Sequence, residues 1–396
     1  MKLYRSTSQA VVDSLTEIFV EKKYADKVIE KVLKQNPKWG ARDRRFIAET
    51  TYDIARWYRL LKEVTQADDT DFWKLLAAWC QWREWELPDW SEFRHMTADG
   101  WQARWKQAQQ ERKLRESIPD WMDELGAREL GSTWDRELHA LNEQAAVVLR
   151  TNTLKTSRKE LIQILQSHKV ETEIVAGQKD ALVLKQRQNV FQLAAFKDGL
   201  FEVQDAGSQT IAPFLQAEPG MRVIDACAGG GGKTMHLAAL TSNKGRIIAM
   251  DTEEWKLEEL KKRARRGGAT TVETRVIDSS KAIKRLENAA DRVLLDVPCS
   301  GLGVLKRNPD AKWKLSLDFV NEIRSTQQHI LTEYSQMVKP GGKLVYSTCS
   351  LLPSENENQV TEFLKNSDDT FTLEEEKKIL PSQGFDGFYM ARLKRH

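Results

Sequence analysis

Two cysteines sit where thiol chemistry is possible. One lies in Asp296-Val297-Pro298-Cys299-Ser300-Gly301, the other in Tyr346-Ser347-Thr348-Cys349-Ser350. Each follows an apolar run that reads as a β-strand, so both thiols fall at strand ends. A single cysteine is usually an inert buried thiol, and Cys80 reads that way. Two thiols at the mouth of a ligand cleft are different, because they can be reached and ionised. Methylation of cytosine at carbon 5 is chemistry that uses such a pair. Carbon 5 is too weak a nucleophile to take a methyl group directly. Thiolate addition at carbon 6 makes carbon 5 enamine-like and able to attack a sulfonium methyl. A second group near the carbon 5 proton can then assist as a base, so that the first thiol is expelled. One cysteine for attack and one for release divides that work coherently.

A second constellation comes earlier. The stretch Asp225-Ala226-Cys227-Ala228-Gly229-Gly230-Gly231-Gly232-Lys233-Thr234 ends one strand and opens a helix. Consecutive glycines let the backbone turn with positive φ and approach a ligand closely. Three ligand classes compete for such a loop. A Walker phosphate loop needs glycine where Cys227 stands. A dinucleotide fingerprint fits Gly229 and Gly231 but meets Thr234 at its last glycine. S-adenosylmethionine asks for less: partners for a ribose with two hydroxyls, an adenine amine and a charged amino-acid tail. Three aspartates at successive strand ends match that list. Asp251 suits the ribose, Asp278 the adenine amine, and Asp296 the methionine end and the target base. One aspartate at a strand end is often a turn residue, but three in order after a glycine loop favour the methyl donor. The expected cofactor-binding set is Cys227, Ala228, Gly229, Gly230, Gly231, Gly232, Lys233, Asp251, Asp278 and Asp296. Cys227 suits packing better than chemistry, and no metal is expected.

These residues need a scaffold that gathers strand ends. Residues 211–396 alternate the strands VIDAC, RIIAMD, TRVID, RVLLD, KLVYSTC and FYMARL with helical patterns. That predicts an α/β fold, a doubly wound and mostly parallel Rossmann-like sheet with helices on both faces. Ligands bind such sheets beyond the carboxyl ends of the strands. Residues 146–210 read as strand–helix–strand–strand–helix–strand, from VVLRTNT to LFEVQD. This is the split βαβ plan of a small α+β, RRM-like domain. Its usual aromatic stacking signature is absent, but Arg150, Asn152 and Lys155 can meet phosphate. Residues 1–145 read as all helical, as in AVVDSLTEIF and KVIEKVL. Eleven of the thirteen tryptophans lie before residue 140. They form the core of a small helical RNA-binding domain, or in part stack on RNA bases. Arg42, Arg44 and Arg45, followed by Arg56 and Arg59, offer that domain a basic face.

Bulk composition narrows the class. A chain of 396 residues exceeds one ordinary core. With 30% charged and 40% hydrophobic residues it is a globular chain, neither disordered nor membrane-embedded. No apolar run is long enough to span a bilayer, and the opening MKLYRSTSQA lacks the core of a secretory signal. The four cysteines fit neither a zinc site nor a disulfide framework. A cytoplasmic monomer with reduced thiols and no membrane partner is expected. The net charge of +3 neither demands nor excludes nucleic acid, because local patches decide. Lys306, Arg307 and Lys312 beside the Cys299 loop, and the run Lys261 to Arg266, are the patches expected along an RNA path.

The motifs also carry a family resemblance. From about residue 118 onward the chain resembles the RsmB/Sun/Fmu-type (NOL1/NOP2/Sun) RNA cytosine-5 methyltransferases. The likeness rests on PDWMDELGA, VVLRTNTLKTSR, GLFEVQDAGSQ, DACAGGGGKT, DVPCSGLG, KRNPDAKW, KPGGKLVYSTCS and DGFYMARLKR. It implies attack by Cys349, release aided by Cys299, S-adenosyl-L-methionine as cofactor and RNA as substrate. Small-subunit ribosomal RNA is favoured, because ARDRRFIAETTYDIARWYRLL resembles the helical RNA-binding domain of those members; transfer RNA stays open. The family loop often reads CAAPGGKT, whereas this chain has Gly229 and Gly230 in place of alanine and proline. That turn is less pre-organised, but no binding side chain is lost. Lys233 is kept, and is expected to reach the methionine tail or the active-site carboxylate. A methyltransferase for adenine amines would not need Cys349. A non-catalytic RNA-binding factor would be expected to have lost Cys299, Cys349 or Asp251.

Overall fold

The computed structural model describes residues 2–94 and 100–396. The chain gathers into two compact units, residues 1–143 with 305–317 and residues 144–304 with 318–396. The second unit carries both sheets. Its smaller sheet contains β1 (Val148–Thr151), β2 (Thr172–Ile174), β3 (Ala181–Leu184) and β4 (Phe201–Val203). The order is β2-β3-β1-β4, with antiparallel pairing throughout. Helix Arg158–Ser167 starts at a capping box. Glu160 N–H donates to Ser157 Oγ at 3.2 Å, and Ser157 N–H donates back to Glu160 Oε2 at 2.8 Å. Its Leu161 and Leu165 then pack on Leu149, Leu182 and Phe201. The second helix of the split βαβ plan is only the single turn Ala194–Lys197.

The larger sheet contains β5 (Arg222–Asp225), β6 (Arg246–Asp251), β7 (Val272–Val276), β8 (Ala290–Asp296), β9 (Val338–Thr348), β10 (Phe371–Ile379) and β11 (Phe388–Arg395). Its order is β10-β11-β9-β8-β5-β6-β7. The five strands β5 to β9 pair in parallel, and β11 and β10 close one edge antiparallel. Successive residues on the central strands enter opposite cores. Ile224, Ile248, Leu295 and Leu344 face one side with Ile330, Leu331, Val360 and Phe363. Val223, Ile247, Leu294 and Val345 face the other with Ile211, Leu215 and Leu237. Burial on both faces is why these strands read as continuous apolar runs. The chain runs from β5 outward to β6 and β7, then returns to the other side of β5 as β8 and β9. The reversal falls between β5 and β8, so the carboxyl ends of those strands frame the crevice where ligands bind.

β10 is absent from the sequence reading. Its residues FTLEEEKKI are exposed between Phe371 and Ile379, and among the described residues it pairs only with β11. A charged edge strand has no apolar alternation to betray it, and its charges discourage further pairing.

The first unit is helical. Arg5–Phe19, Ala25–Gln35, Ala41–Arg56, Tyr58–Thr65 and Phe72–Trp82 surround a core that includes Leu15, Ile47, Ile54, Leu61 and Leu76. The tryptophans serve that packing. Trp79 is buried in it, and Trp57, Trp73, Trp82, Trp85 and Trp90 lie against the same core. Edge-on pairs such as Trp79–Trp85, with centroids 5.0 Å apart, suit the ring quadrupoles. Residues 305–317, which continue the Cys299 loop in sequence, pack in this unit. Asp310 Oδ2 accepts from the Ala25 N–H at 3.0 Å, and Trp313 Nε1 donates to Ala55 O at 2.6 Å. Among the described residues, no helix is long and apolar enough to cross a membrane.

Several cations expected to meet RNA phosphate are instead structural. Arg56 is buried and donates to the carbonyl oxygens of Asn142, Glu143 and Lys306. Lys306 and Lys312 are buried, with Nζ atoms donating to Glu143 Oε2 at 3.2 Å and Asn142 Oδ1 at 3.3 Å. Burial, helped by the Arg56 charge, pushes the Lys312 amine well below its ordinary value. In the second unit Arg150 donates to Gly232 O at 2.6 Å, and Asn152 to Gly199 O and Gly267 O at 2.7 Å each. Lys155 Nζ donates to Asp198 O and Arg266 O. Arg263 and Arg266 both pair with buried Glu202. These groups join the small sheet to the large one, which leaves them poorly placed to hold phosphate. Lys261 and Lys262 form exposed pairs with Glu258 and Glu259, a solvated helix face. Arg42 and Arg45 remain exposed. Arg44 donates to Trp39 O at 3.0 Å, and Arg59 to Ile118 O at 2.6 Å.

Candidate active site at the strand ends

The glycine loop leaves β5 at Asp225 and enters helix Gly232–Leu240. Gly229 and Gly231 have φ of +51° and +84°. At Gly231 a Cβ would stand 2.5 Å from Leu260 Cγ, so both backbone conformation and space require glycine there. Asp251, at the end of β6, holds the loop in place. Its Oδ2 accepts from the Gly229 N–H at 2.9 Å and its Oδ1 from the Glu253 N–H at 3.0 Å. Lys256 Nζ lies 3.7 Å from the same carboxylate. Asp278 lies two residues beyond the end of β7, exposed, bonded to Ser279 Oγ at 3.0 Å. Ala228 is at the edge of burial and packs with Met235, Leu257 and Leu260. Cys227 packs against the core on one face of the sheet, and burial beside Asp225 pushes its thiol well above the ordinary range. It is a neutral packing group.

Lys233 reaches a carboxylate, one of its two expected targets. Its Nζ donates to Asp296 Oδ2 at 2.5 Å. Burial opposes the ammonium charge, but Asp296 outweighs it and holds Lys233 above its ordinary value. The other oxygen of Asp296 accepts from Ser347 Oγ at 3.0 Å. Parallel pairing of β8 with β9 sets Asp296 opposite Ser347 in register, and both cysteines follow within a few residues. Cys299 Sγ and Cys349 Sγ lie 3.3 Å apart. The hydrogen bond to Cys349, together with burial, raises the Cys299 thiol well above its ordinary value. Cys349 is held from behind: its carbonyl accepts from the Gly303 N–H at 2.8 Å. A Cβ at Gly303 would stand 2.7 Å from that carbonyl oxygen and 2.3 Å from Gly387 O, so only glycine lets the loops close.

Two features of the candidate site escaped the sequence reading. Asp225 is buried, accepts from Thr234 Oγ1 at 2.7 Å, and leaves Oδ1 without a hydrogen bond. Burial pushes its carboxyl up to about 7. It ends β5 as Asp251 ends β6, so the rule that selected the other aspartates applies to it equally. Ser347 was hidden because only strand pairing places it beside Asp296.

A strand order that reverses at a glycine loop, with acids at the ends of β5, β6 and β8, defines an S-adenosylmethionine-dependent methyltransferase fold. The comparisons are more specific. The family described as 16S rRNA methyltransferase RsmB/F matches residues 212–394, and the ferredoxin-like domain of RsmF/B-like methyltransferases matches residues 118–191. A probable ribosomal RNA small subunit methyltransferase B from Synechocystis is 39% identical over 64% of this chain and 57% of its own. Ribosomal RNA small subunit methyltransferase B from Shewanella oneidensis is 33% identical over 71% of this chain and 67% of its own. The crystal structure of the protein PH0851 is 26% identical, with a TM-score of 0.85 and complete coverage of both chains. The chain belongs to the RsmB/F methyltransferase family. It spans 57% of the length of the Synechocystis relative.

Proposed function

We propose that this chain methylates carbon 5 of a cytosine in small-subunit ribosomal RNA, with S-adenosylmethionine as methyl donor. The observation that carries the reading is the pair of thiols, Sγ atoms 3.3 Å apart, beside the Lys233–Asp296 pair. Transfer to an amine or hydroxyl needs no thiol, whereas carbon 5 needs covalent activation. The curated relatives' names supply the ribosomal RNA.

The residues present suit the donor. Asp225 Oδ1 is a buried oxygen without a partner, able to accept from a cationic amino-acid tail. The glycine loop admits close backbone approach, Asp251 can accept from ribose hydroxyls, and Asp278 from the adenine amine. When bound, S-adenosylmethionine supplies an electrophilic methyl group. The protein supplies the rest. Cys349 gives its proton to solvent, its Sγ adds as thiolate to carbon 6 of cytosine, and the electron pair of the carbon 5–carbon 6 double bond makes carbon 5 the nucleophile. Lys233, whose charge Cys349 also favours, keeps a cation beside that thiol. Asp296, fixed by Lys233 and Ser347, stands where base and donor meet. Once Cys349 is bonded to carbon 6 it no longer shares a proton with Cys299; Cys299 gives its own proton to solvent and, after transfer, takes the proton from carbon 5 as thiolate. The electron pair of that bond re-forms the double bond and expels Cys349 as thiolate.

Bisulfite sequencing of ribosomal RNA from cells with and without the protein tests this. A single small-subunit cytosine protected only when the protein is present is expected. Protection unchanged by its loss would place the substrate elsewhere.

A further inference from the structure

The serine after each cysteine is as closely paired as the thiols. Ser300 Oγ lies 3.2 Å from Ser350 Oγ, and both donate to one oxygen, Oε1 of Glu355. The other oxygen, Oε2, accepts from the Ser300 N–H at 2.7 Å and from Gln327 Nε2 at 3.0 Å. Gln327 Nε2 also donates to Pro298 O at 3.0 Å. The next residue continues the pattern: Asn356 Nδ2 donates to Ser350 O at 3.0 Å, and its Oδ1 accepts from Thr348 Oγ1. Tyr346, inside β9, donates its hydroxyl to the Glu355 carbonyl at 2.7 Å. The loop after β8 is thus held at 298 and 300, and the end of β9 and the loop that follows it at 348 and 350. Cys299 and Cys349 are the residues between those anchors.

Glu355 is fully buried, and the three side chains and one backbone N–H that donate to its carboxyl group among the described residues are neutral. A carboxylate buried without a cation is costly. An apolar contact would join two loops at less expense, but it would not fix their register. Donors converging on two oxygens from both loops do fix it.

We infer that Glu355 is a positioning residue, which clamps Ser300 and Ser350 and so sets the separation of the two thiols. The inference rests on the two-thiol reading above and extends it to a side chain that takes no part in bond making. Moving either loop by about an ångström would spoil the hand-over between attack and release, because reacting groups must stay near contact distance.

The test uses the whole chain and the oxidant diamide. Diamide is reduced by two electrons and two protons as two thiols join in a disulfide, which peptide mapping locates. Wild-type protein is expected to form the Cys299–Cys349 bond rapidly. Glu355→Ala is expected to form it at least about tenfold more slowly, with S-adenosylmethionine affinity unchanged. Glu355→Gln keeps one accepting oxygen and is expected to recover part of the rate. In methyl transfer, kcat falls in the same order while KM for RNA holds. A purely structural role would lower the melting temperature and leave the folded fraction cross-linking at the wild-type rate. Should Glu355→Ala not fold, Glu355→Gln and Ser350→Ala carry the test by the same readout. Wild-type cross-linking in the folded variants overturns the inference. The cross-link needs no RNA, so slow cross-linking in a chain whose wild type methylates no cytosine would keep the clamp and overturn the proposed function.

Discussion

Two groups of polar side chains here differ in their partners. At the ends of β5, β8 and β9, Lys233 faces Asp296 and Cys299 faces Cys349. Each partner is a side chain that can exchange a proton. In the helical unit Arg56 faces three backbone carbonyls. In the second unit Arg150 and Asn152 also reach backbone carbonyls. A carbonyl cannot titrate or leave, so a cation bonded to it is joinery. A backbone partner thus marks architecture here, although a carboxylate partner can serve architecture as well, as Glu202 does for Arg263 and Arg266.

The contrast is sharpest in Cys349→Ala. Methyl transfer is expected to fall on the order of 10³-fold or more, as when a covalent nucleophile is removed. Melting temperature and S-adenosylmethionine affinity stay near wild type. Substantial turnover by that variant would move the chemistry off the thiol pair. Asp251→Ala is next. Its two acceptor oxygens are read as ribose partners, each charge-assisted bond worth roughly 1.5–3 kcal/mol. Calorimetry is expected to show a large loss of cofactor affinity, and an unchanged value would shift the ribose site.

Arg56→Ala probes the other side. Buried carbonyls left without a donor cost about 1–3 kcal/mol each, so denaturant unfolding is expected to show a loss of about 2–4 kcal/mol. Methyl transfer per folded molecule is expected to persist. Lys306→Ala is expected to behave similarly, and not to flatten the salt dependence of RNA binding as a phosphate contact would. A normal melting temperature with a flattened salt slope in either variant would return these cations to an RNA path.

Asp225 gives the most specific effect, one confined to the pH dependence of stability. Burial lifts its carboxyl from 3.8 to about 7. A carboxyl raised on folding contributes stability below its unfolded value, and that contribution is lost as pH climbs through about 7. Between about pH 4 and 7 stability should fall with a slope of up to about 1.4 kcal/mol per pH unit from this group. Asp225→Asn is expected to flatten that slope. An identical slope in the variant would assign the titration to another group.

Much of the site was legible because its residues sit at the ends of strands buried on both faces. Such strands read as apolar runs, so VIDAC, RIIAMD and RVLLD located Asp251, Asp296 and the glycine loop. β10 was not legible, since FTLEEEKKI is a charged edge without alternation. The fates of Arg56, Lys306 and Lys312 were hidden for another reason. Sequence gives the charge of a side chain, whereas its partner is decided by segments such as 305–317 that pack far along the chain. Glu355 was hidden the same way, for its role exists only once β8 and β9 lie side by side.

Cys299→Ala, incubated with substrate RNA and S-adenosylmethionine and then denatured, reads the division of labour between the thiols most directly. Attack and methyl transfer are expected to proceed while release stalls, so a protein–RNA adduct through Cys349 accumulates and vanishes in the Cys299→Ala, Cys349→Ala double variant. Normal turnover without an adduct would contradict the assignment of release to Cys299.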